Sequence, residues 1–406
     1  MTKVIAYTLA LFFAATGLGM LSSPAAFGRF FVSQTPVFDA AHYLKIATQG
    51  YVEAPLAAFY PLWPQLLKIF ILPFSSPQNV VLAGSLFAFL LFALSLFPFA
   101  KVALRDLSAS AGFCLLIMYA LNPNSLFHML LYTESLTALS GSLTLLSLSR
   151  LLSTDDNKVA SSVQKKWKWS LLAAVSLIAL SLGRPVGLPL IASFFASTAC
   201  VFFFRAGSFS QLMSQGSLQY VKDPLVLVAV ICSLAVVMGY IPYGWHAANV
   251  YGDFLAPFDA QKYWDRSFGL HWDIIFKPKS VSKSDNVLFW DIQAFYLPFV
   301  LIALPFLARL KVLPSAFVSL GHDWLYWLCA FFAAAHSAIA FLTFPIFMSL
   351  ARHVFALPFI FYCAARILAI VWHQPAARRL AWGYAGISAA FLVYWWSRYA
   401  REGWLG

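Results

Sequence analysis

Charge is what this sequence lacks most. Asp, Glu, Lys and Arg make up 10% of its 406 residues, whereas soluble domains carry about 25%. With 61% hydrophobic and 17% aromatic residues, an ordinary soluble domain is excluded. A polytopic membrane protein accommodates this composition. Acids are the scarcest, 15 against 27 basic residues. The net charge of +12 is scattered singly between apolar runs. It therefore marks topology and contacts with membrane lipids, and no nucleic-acid partner is expected. Cysteine is limited to Cys114, Cys200, Cys232, Cys329 and Cys363, all within apolar runs. They lack metal-type spacing and read as packing residues. HExxH, CxxC, P-loop and dinucleotide fingerprints are absent, as are internal repeats and low-complexity segments.

What is present is a series of long apolar runs. A span needs about 20 apolar residues. Eleven candidates occur, at 4–22, 79–100, 111–130, 132–150, 169–183, 185–204, 224–243, 292–308, 324–345, 353–372 and 380–397. The expected fold is all-α, a single integral membrane domain over 1–406. The first run has only Lys3 before it and a poor cleavage site after it, so it reads as a retained helix. The pair flanking Gly183-Arg184-Pro185 reads as a tight hairpin or one broken helix.

Lys and Arg in short loops set the orientation. With the N-terminus in the cytoplasm, Lys101, Arg105, Arg150, Lys166, Arg309 and Arg379 fall inside. The opposite short connections carry fewer, namely Arg29, Lys45, Lys68, Arg184 and Arg352. Two large outer loops result, 23–78 and 244–291. The first has helical periodicity at 40–49 and 62–72, as expected of amphipathic helices on a membrane surface. The second interleaves Trp, Tyr, Asp and Lys, a composition that suits sugar or headgroup contacts or a solvated interfacial loop.

Four groups of residues could carry chemistry. Asp39, His42 and Tyr43 share a helical face after the first span. Asp39 is either a general base for a hydroxyl or an N-cap of its own helix. Glu134, within Tyr132-Thr133-Glu134-Ser135, is the one acid well inside an expected span. It is a site candidate, or a cap or arginine partner. Arg184 at its helix junction suits a phosphate, or pairs with Glu134. Arg352-His353 opens the tenth span, adding charge to the same face or snorkelling to the interface. His246 and His271 have no assigned role.

The run 38–51, Phe-Asp-Ala-Ala-His-Tyr-Leu-Lys-Ile-Ala-Thr-Gln-Gly-Tyr, resembles a segment of the PIG-V mannosyltransferases. Ala58-Phe59-Tyr60-Pro61-Leu62-Trp63-Pro64 is similar to the proline motif that follows in that family. Asn122-Pro123, Tyr132-Thr133-Glu134-Ser135-Leu136 and Arg184-Pro185-Val186-Gly187 resemble its later segments in the same order. The likeness covers roughly the first half; beyond it only hydropathy and Arg352-His353 agree. Phe38 departs from the family's tryptophan.

The resemblance implies a GT-C glycosyltransferase, a polytopic helical enzyme with its site on the lumenal or periplasmic face. It implies a polyprenyl-phosphate mannose donor and a lipid or glycan acceptor. It makes Asp39 the base of an inverting transfer, with Arg184, Arg352 and His353 at the leaving phosphate. His42 and Tyr43 would orient Asp39 or the sugar, and Glu134 the acceptor or Arg184. No metal or other cofactor is required, because phosphate is already a good leaving group. The compact form is like that of bacterial members, implying the bacterial cytoplasmic membrane, or the endoplasmic reticulum in a eukaryote. Competing readings are a GT-C enzyme using another sugar or a protein acceptor, and a lipid or sugar flippase. A flippase would show inverted repeats and midplane charges.

Overall fold

The computed structural model describes residues 1–22, 38–74, 76–153, 159–208, 210–211, 222–264, 266–281 and 285–400. Residues 23–37, which include Arg29 and the start of the first large loop, lie outside the described residues.

Long apolar runs must bury or satisfy every backbone polar group, and helices do so within one segment. The described chain is accordingly helical. Its one β feature is an isolated bridge between Ser280 and Phe347. The first half contains α1 (Thr2–Leu21), α2 (Asp39–Gln49), α3 (Leu62–Ile71), α4 (Pro77–Ala103), α5 (Ala109–Ala120), α6 (Glu134–Leu152) and α7 (Val159–Gly183). The second contains α8 (Gly187–Ala206), α9 (Pro224–Tyr251), α10 (Asp285–Arg309), α11 (Trp324–Thr343), α12 (Leu350–Phe355), α13 (Pro358–Val371) and α14 (Pro375–Ala400).

Each expected span overlaps a helix, but 111–130 is helical only to Ala120 and continues as a 3₁₀ turn over Pro123–Met129. Seven are both long and apolar enough to cross a membrane: α1, α4, α6, α8, α9, α10 and α11. Helices α5 and α13 are shorter, at 12 and 14 residues. The tenth candidate, 353–372, is split: the chain breaks between α12 and α13 at Ala356-Leu357, before Pro358. The residue before proline avoids helical geometry, and Leu357 is extended at φ −110°, ψ 151°.

The helices at the Arg184 junction do not form a tight hairpin. They diverge, and α9 packs against both α7 and α8. Gly239 permits that packing, since a Cβ there would lie 2.8 Å from the Ile178 carbonyl oxygen. Along α9, Leu227, Ile231, Leu234 and Met238 form an exposed apolar stripe at helical spacing, fit to face lipid. Polar groups inside the bundle find partners across helices. Thr144 Oγ1 donates to Ser176 Oγ at 2.9 Å, and Trp324 Nε1 to Thr198 Oγ1 at 3.0 Å. The cysteines are free thiols, four of them buried, as packing residues would be.

At one end of α11, Arg366 pairs with Asp323 at 2.8 Å and also with Asp106. The other end, about 30 Å away at 1.5 Å per residue, reaches the residues singled out above. Helices α2 and α3 pack on one another there, within the first large loop.

Candidate active site

Asp39 is the first residue of α2. The preceding Phe38 has φ 57° and ψ −140°, a conformation that bulky residues rarely adopt. The helix has no side-chain cap, which corrects the N-cap reading of Asp39. Its Oδ2 instead accepts a hydrogen bond from Arg352 Nη2 at 2.7 Å. Among the described residues Oδ1 has no hydrogen-bond donor, so one oxygen is anchored and the other is open.

Glu134 opens α6, and its side chain is 1% exposed. Its Oε1 lies 3.1 Å from Arg352 Nε and 3.2 Å from Arg184 Nη1. One carboxylate thus holds two guanidinium groups, as a buried charge requires. Arg184 is placed by the three-residue turn between α7 and α8, where Pro185 cannot continue the helix. Arg352 comes from α12, whose N-cap Ser349 sits in the left-handed region at φ 60°. Two uncommon non-glycine turns therefore precede the two members of the Asp39–Arg352 pair. The Arg352 guanidinium also rests on the rings of Phe127 and Tyr132, 5.2 and 5.1 Å from their centroids.

Arg184 Nη2 donates to His353 Nδ1. Arginine cannot accept, so a neutral His353 carries its proton on Nε2. His336 shows the opposite tautomer: its Nδ1 donates to the Phe332 carbonyl at 2.9 Å, leaving Nε2 as acceptor. The two rings stack with centroids 6.0 Å apart. A histidine donor and a histidine acceptor thus stand side by side.

A cavity of about 180 Å³ collects these groups. Asp39, Tyr43, Glu134, Arg184, Arg352 and His353 all line it. His42 does not. Its ring packs between Phe59 and Trp264, at 4.8 and 5.3 Å. Burial pushes its pKa below the usual histidine value, and Asp39 partly opposes that. Burial, aided by Asp39 and Glu134, pushes the Tyr43 phenol upward, so it remains a donor.

Sequence reasoning missed Trp264, Arg266 and His336, which also line the cavity. Arg266 is the one arginine in 252–284, a signal available beforehand. Its guanidinium stacks on Phe344 at 5.6 Å, and no carboxylate pairs with it among the described residues. Burial lowers its pKa, with Asp39 opposing. His336 was legible as a histidine alone in an apolar span. The segment bearing Arg266 is fixed by main-chain bonds. The N–H groups of Ser267, Gly269 and His271 donate to the carbonyls of Thr343, Leu342 and Phe341 at 3.2, 2.9 and 3.1 Å. These are the last carbonyls of α11, which have no partner within the helix. No three His, Cys, Asp or Glu side chains form a metal-type cluster among the described residues. His246 packs beside Tyr51, 5.2 Å between centroids, and His271 bonds its own loop at Ser267.

The fold, a helical bundle with a polar cavity at one end, has counterparts among solved structures. The chain is similar over 96% of its length to ArnT from Cupriavidus metallidurans, solved bound to undecaprenyl phosphate, with TM-score 0.54 and 13% identity. It spans 63% of that protein's length. The Archaeoglobus fulgidus oligosaccharyltransferase AglB, solved with an inhibitory peptide and a dolichol-phosphate, superposes with TM-score 0.46 at 13% identity, covering 98% of this chain and 55% of that one. No curated protein matches the sequence. Residues 21–250 match the mannosyltransferase (PIG-V) family, and the chain belongs to that family.

Proposed function

We propose that this protein transfers mannose from a polyprenyl-phosphate donor to a lipid or glycan hydroxyl, with inversion at the anomeric carbon. The carrying observation is the cavity's charge: three arginines, Arg184, Arg266 and Arg352, against two carboxylates, Asp39 and Glu134. The surplus positive charge suits one phosphate, which arginine can hold with paired N–H donors. Family membership supports the sugar, and the undecaprenyl phosphate bound by ArnT supports the carrier class.

The acceptor hydroxyl approaches Asp39, which takes its proton through Oδ1 while Arg352 fixes Oδ2. The acceptor oxygen bonds to the anomeric carbon as the bond to the phosphate oxygen breaks. The electron pair leaves on the polyprenyl phosphate, whose charge faces Arg184, Arg266 and Arg352 without solvent reorganisation. His353 Nε2–H and Tyr43 supply donors to the sugar or phosphate, and His336 an acceptor. Glu134 keeps Arg184 and Arg352 in place. His42 acts from outside the cavity, holding Phe59 and Trp264 at its wall.

The site is proposed to open on the non-cytoplasmic face of the bacterial cytoplasmic membrane, or of the endoplasmic reticulum in a eukaryote. The excess of Lys and Arg at the opposite end supports that orientation. On this reading 23–78 and 244–291 are outer loops of one integral membrane domain. Membranes containing the protein, given radiolabelled polyprenyl-phosphate mannose and a membrane lipid extract, should form a mannosylated product. Label crossing liposomes without covalent product would instead establish a flippase.

A further inference from the structure

Asp291 has no part in the chemistry proposed above, yet it is fully buried in α10. A buried carboxylate is costly unless several donors satisfy it. Here Oδ1 accepts from the Ala351 N–H at 2.8 Å. Ser280 Oγ donates to Oδ2 at 3.4 Å. Among the described residues no cation lies within ion-pair distance. The donors therefore come from two sources: the start of α12, which carries Arg352 and His353, and the loop segment around Ser280.

The same two segments are joined by backbone. The Phe347 N–H donates to the Lys279 carbonyl at 2.7 Å, and the Val281 N–H to the Phe347 carbonyl at 3.0 Å. Between this bridge and α12 stands Ser349, in its left-handed conformation at φ 60°. A strained turn persists only where its surroundings over-determine it. The bridge holds one side of Ser349 and Asp291 the other.

We infer that Asp291 is a positioning residue: it sets the first turn of α12 so that Arg352 reaches both Asp39 and Glu134. Removing the carboxylate leaves the Ala351 N–H at the start of α12 unsatisfied. An asparagine could still accept that N–H through its own carbonyl oxygen, whereas alanine in its place offers no acceptor. Arg352 then loses its register, and misplacement by about 1 Å can cost up to about 100-fold in rate.

This inference rests on the proposed transferase role of Arg352, and a double-mutant cycle separates the two. The variants are Asp291→Ala, Arg352→Lys and their combination, assayed as kcat for mannosyl transfer from polyprenyl-phosphate mannose. Asp291→Ala should lower kcat about 10- to 100-fold in the wild-type background. In the Arg352→Lys background it should change kcat less than about 2-fold, because coupled residues are not additive. Equal losses in both backgrounds, or no loss in the first, would overturn the inference. Should Asp291→Ala fail to fold, Ser280→Ala replaces it in the cycle, with a smaller loss that again disappears beside Arg352→Lys. Equal Ser280→Ala losses would overturn it equally. Absence of transfer by the wild type would refute the proposed function instead.

Discussion

Arg352 Nη2 meets Asp39 Oδ2 at 2.7 Å across 313 positions of sequence. This contact joins the first large loop to the short helix that follows α11. The side chains it connects differ in access: Asp39 is 19% exposed, Arg352 9%, Arg184 5% and Glu134 1%. The carboxylate assigned the proton transfer is thus the most open of the four, and the carboxylate that organises arginines is the most closed.

Glu134 should be the stability centre of the site. Glu134→Gln leaves Arg184 and Arg352 facing each other in a buried place, where breaking such a pair costs about 3–5 kcal/mol. The variant should melt at a clearly lower temperature in detergent. Glu134→Gln combined with Arg184→Met should regain part of that loss. A single variant melting like the wild type would show that Glu134 is not needed to hold the arginines.

Arg266 should contribute donor affinity. It has no carboxylate partner among the described residues, so its donors are available to phosphate. A hydrogen bond to a charged group contributes about 1.5–3 kcal/mol. Arg266→Ala should therefore raise the donor KM about 10-fold or more, with a smaller change in melting temperature than Glu134→Gln. An unchanged donor KM would remove Arg266 from the phosphate site.

His42 gives a pH dependence of stability. Its folded pKa lies below the ordinary value of 6.5 because its ring is partly buried. The folded protein then holds fewer protons on this group than the unfolded chain. Its contribution is complete above pH 6.5 and is lost as pH falls through the folded value. Melting temperatures measured from pH 8 downward should fall less steeply for His42→Phe than for the wild type. Parallel curves would show that another group sets the dependence.

Much of this arrangement was legible in local pattern. The amphipathic periodicity of 40–49 and 62–72 foretold α2 and α3 closely, because both helices carry the pattern within a single turn-bounded run. Asp39, Glu134, Arg184 and Arg352 stood out because charge is scarce in apolar surroundings. Their mutual pairing was not legible beyond the possible Glu134–Arg184 partnership, since it depends on how distant helices pack. Pro358 marks the break in the tenth span, yet hydropathy runs through it. Asp39's freedom from capping followed from the backbone at Phe38, which no propensity for phenylalanine foretells. Arg266 entered the cavity through main-chain bonds between its loop and α11, and sequence patterns carry no information on such bonds.

The central claim is that Asp39 removes the acceptor's proton. Asp39→Asn keeps the side chain's shape but removes its basicity. The direct measurement is mannosyl transfer by purified wild-type and Asp39→Asn proteins in vesicles, at saturating polyprenyl-phosphate mannose, with binding of the polyprenyl phosphate measured alongside. General-base catalysis is worth about 100- to 10,000-fold. The account predicts a loss of kcat in that range while the variant stays folded and still binds the carrier. A folded Asp39→Asn protein with wild-type kcat would contradict it.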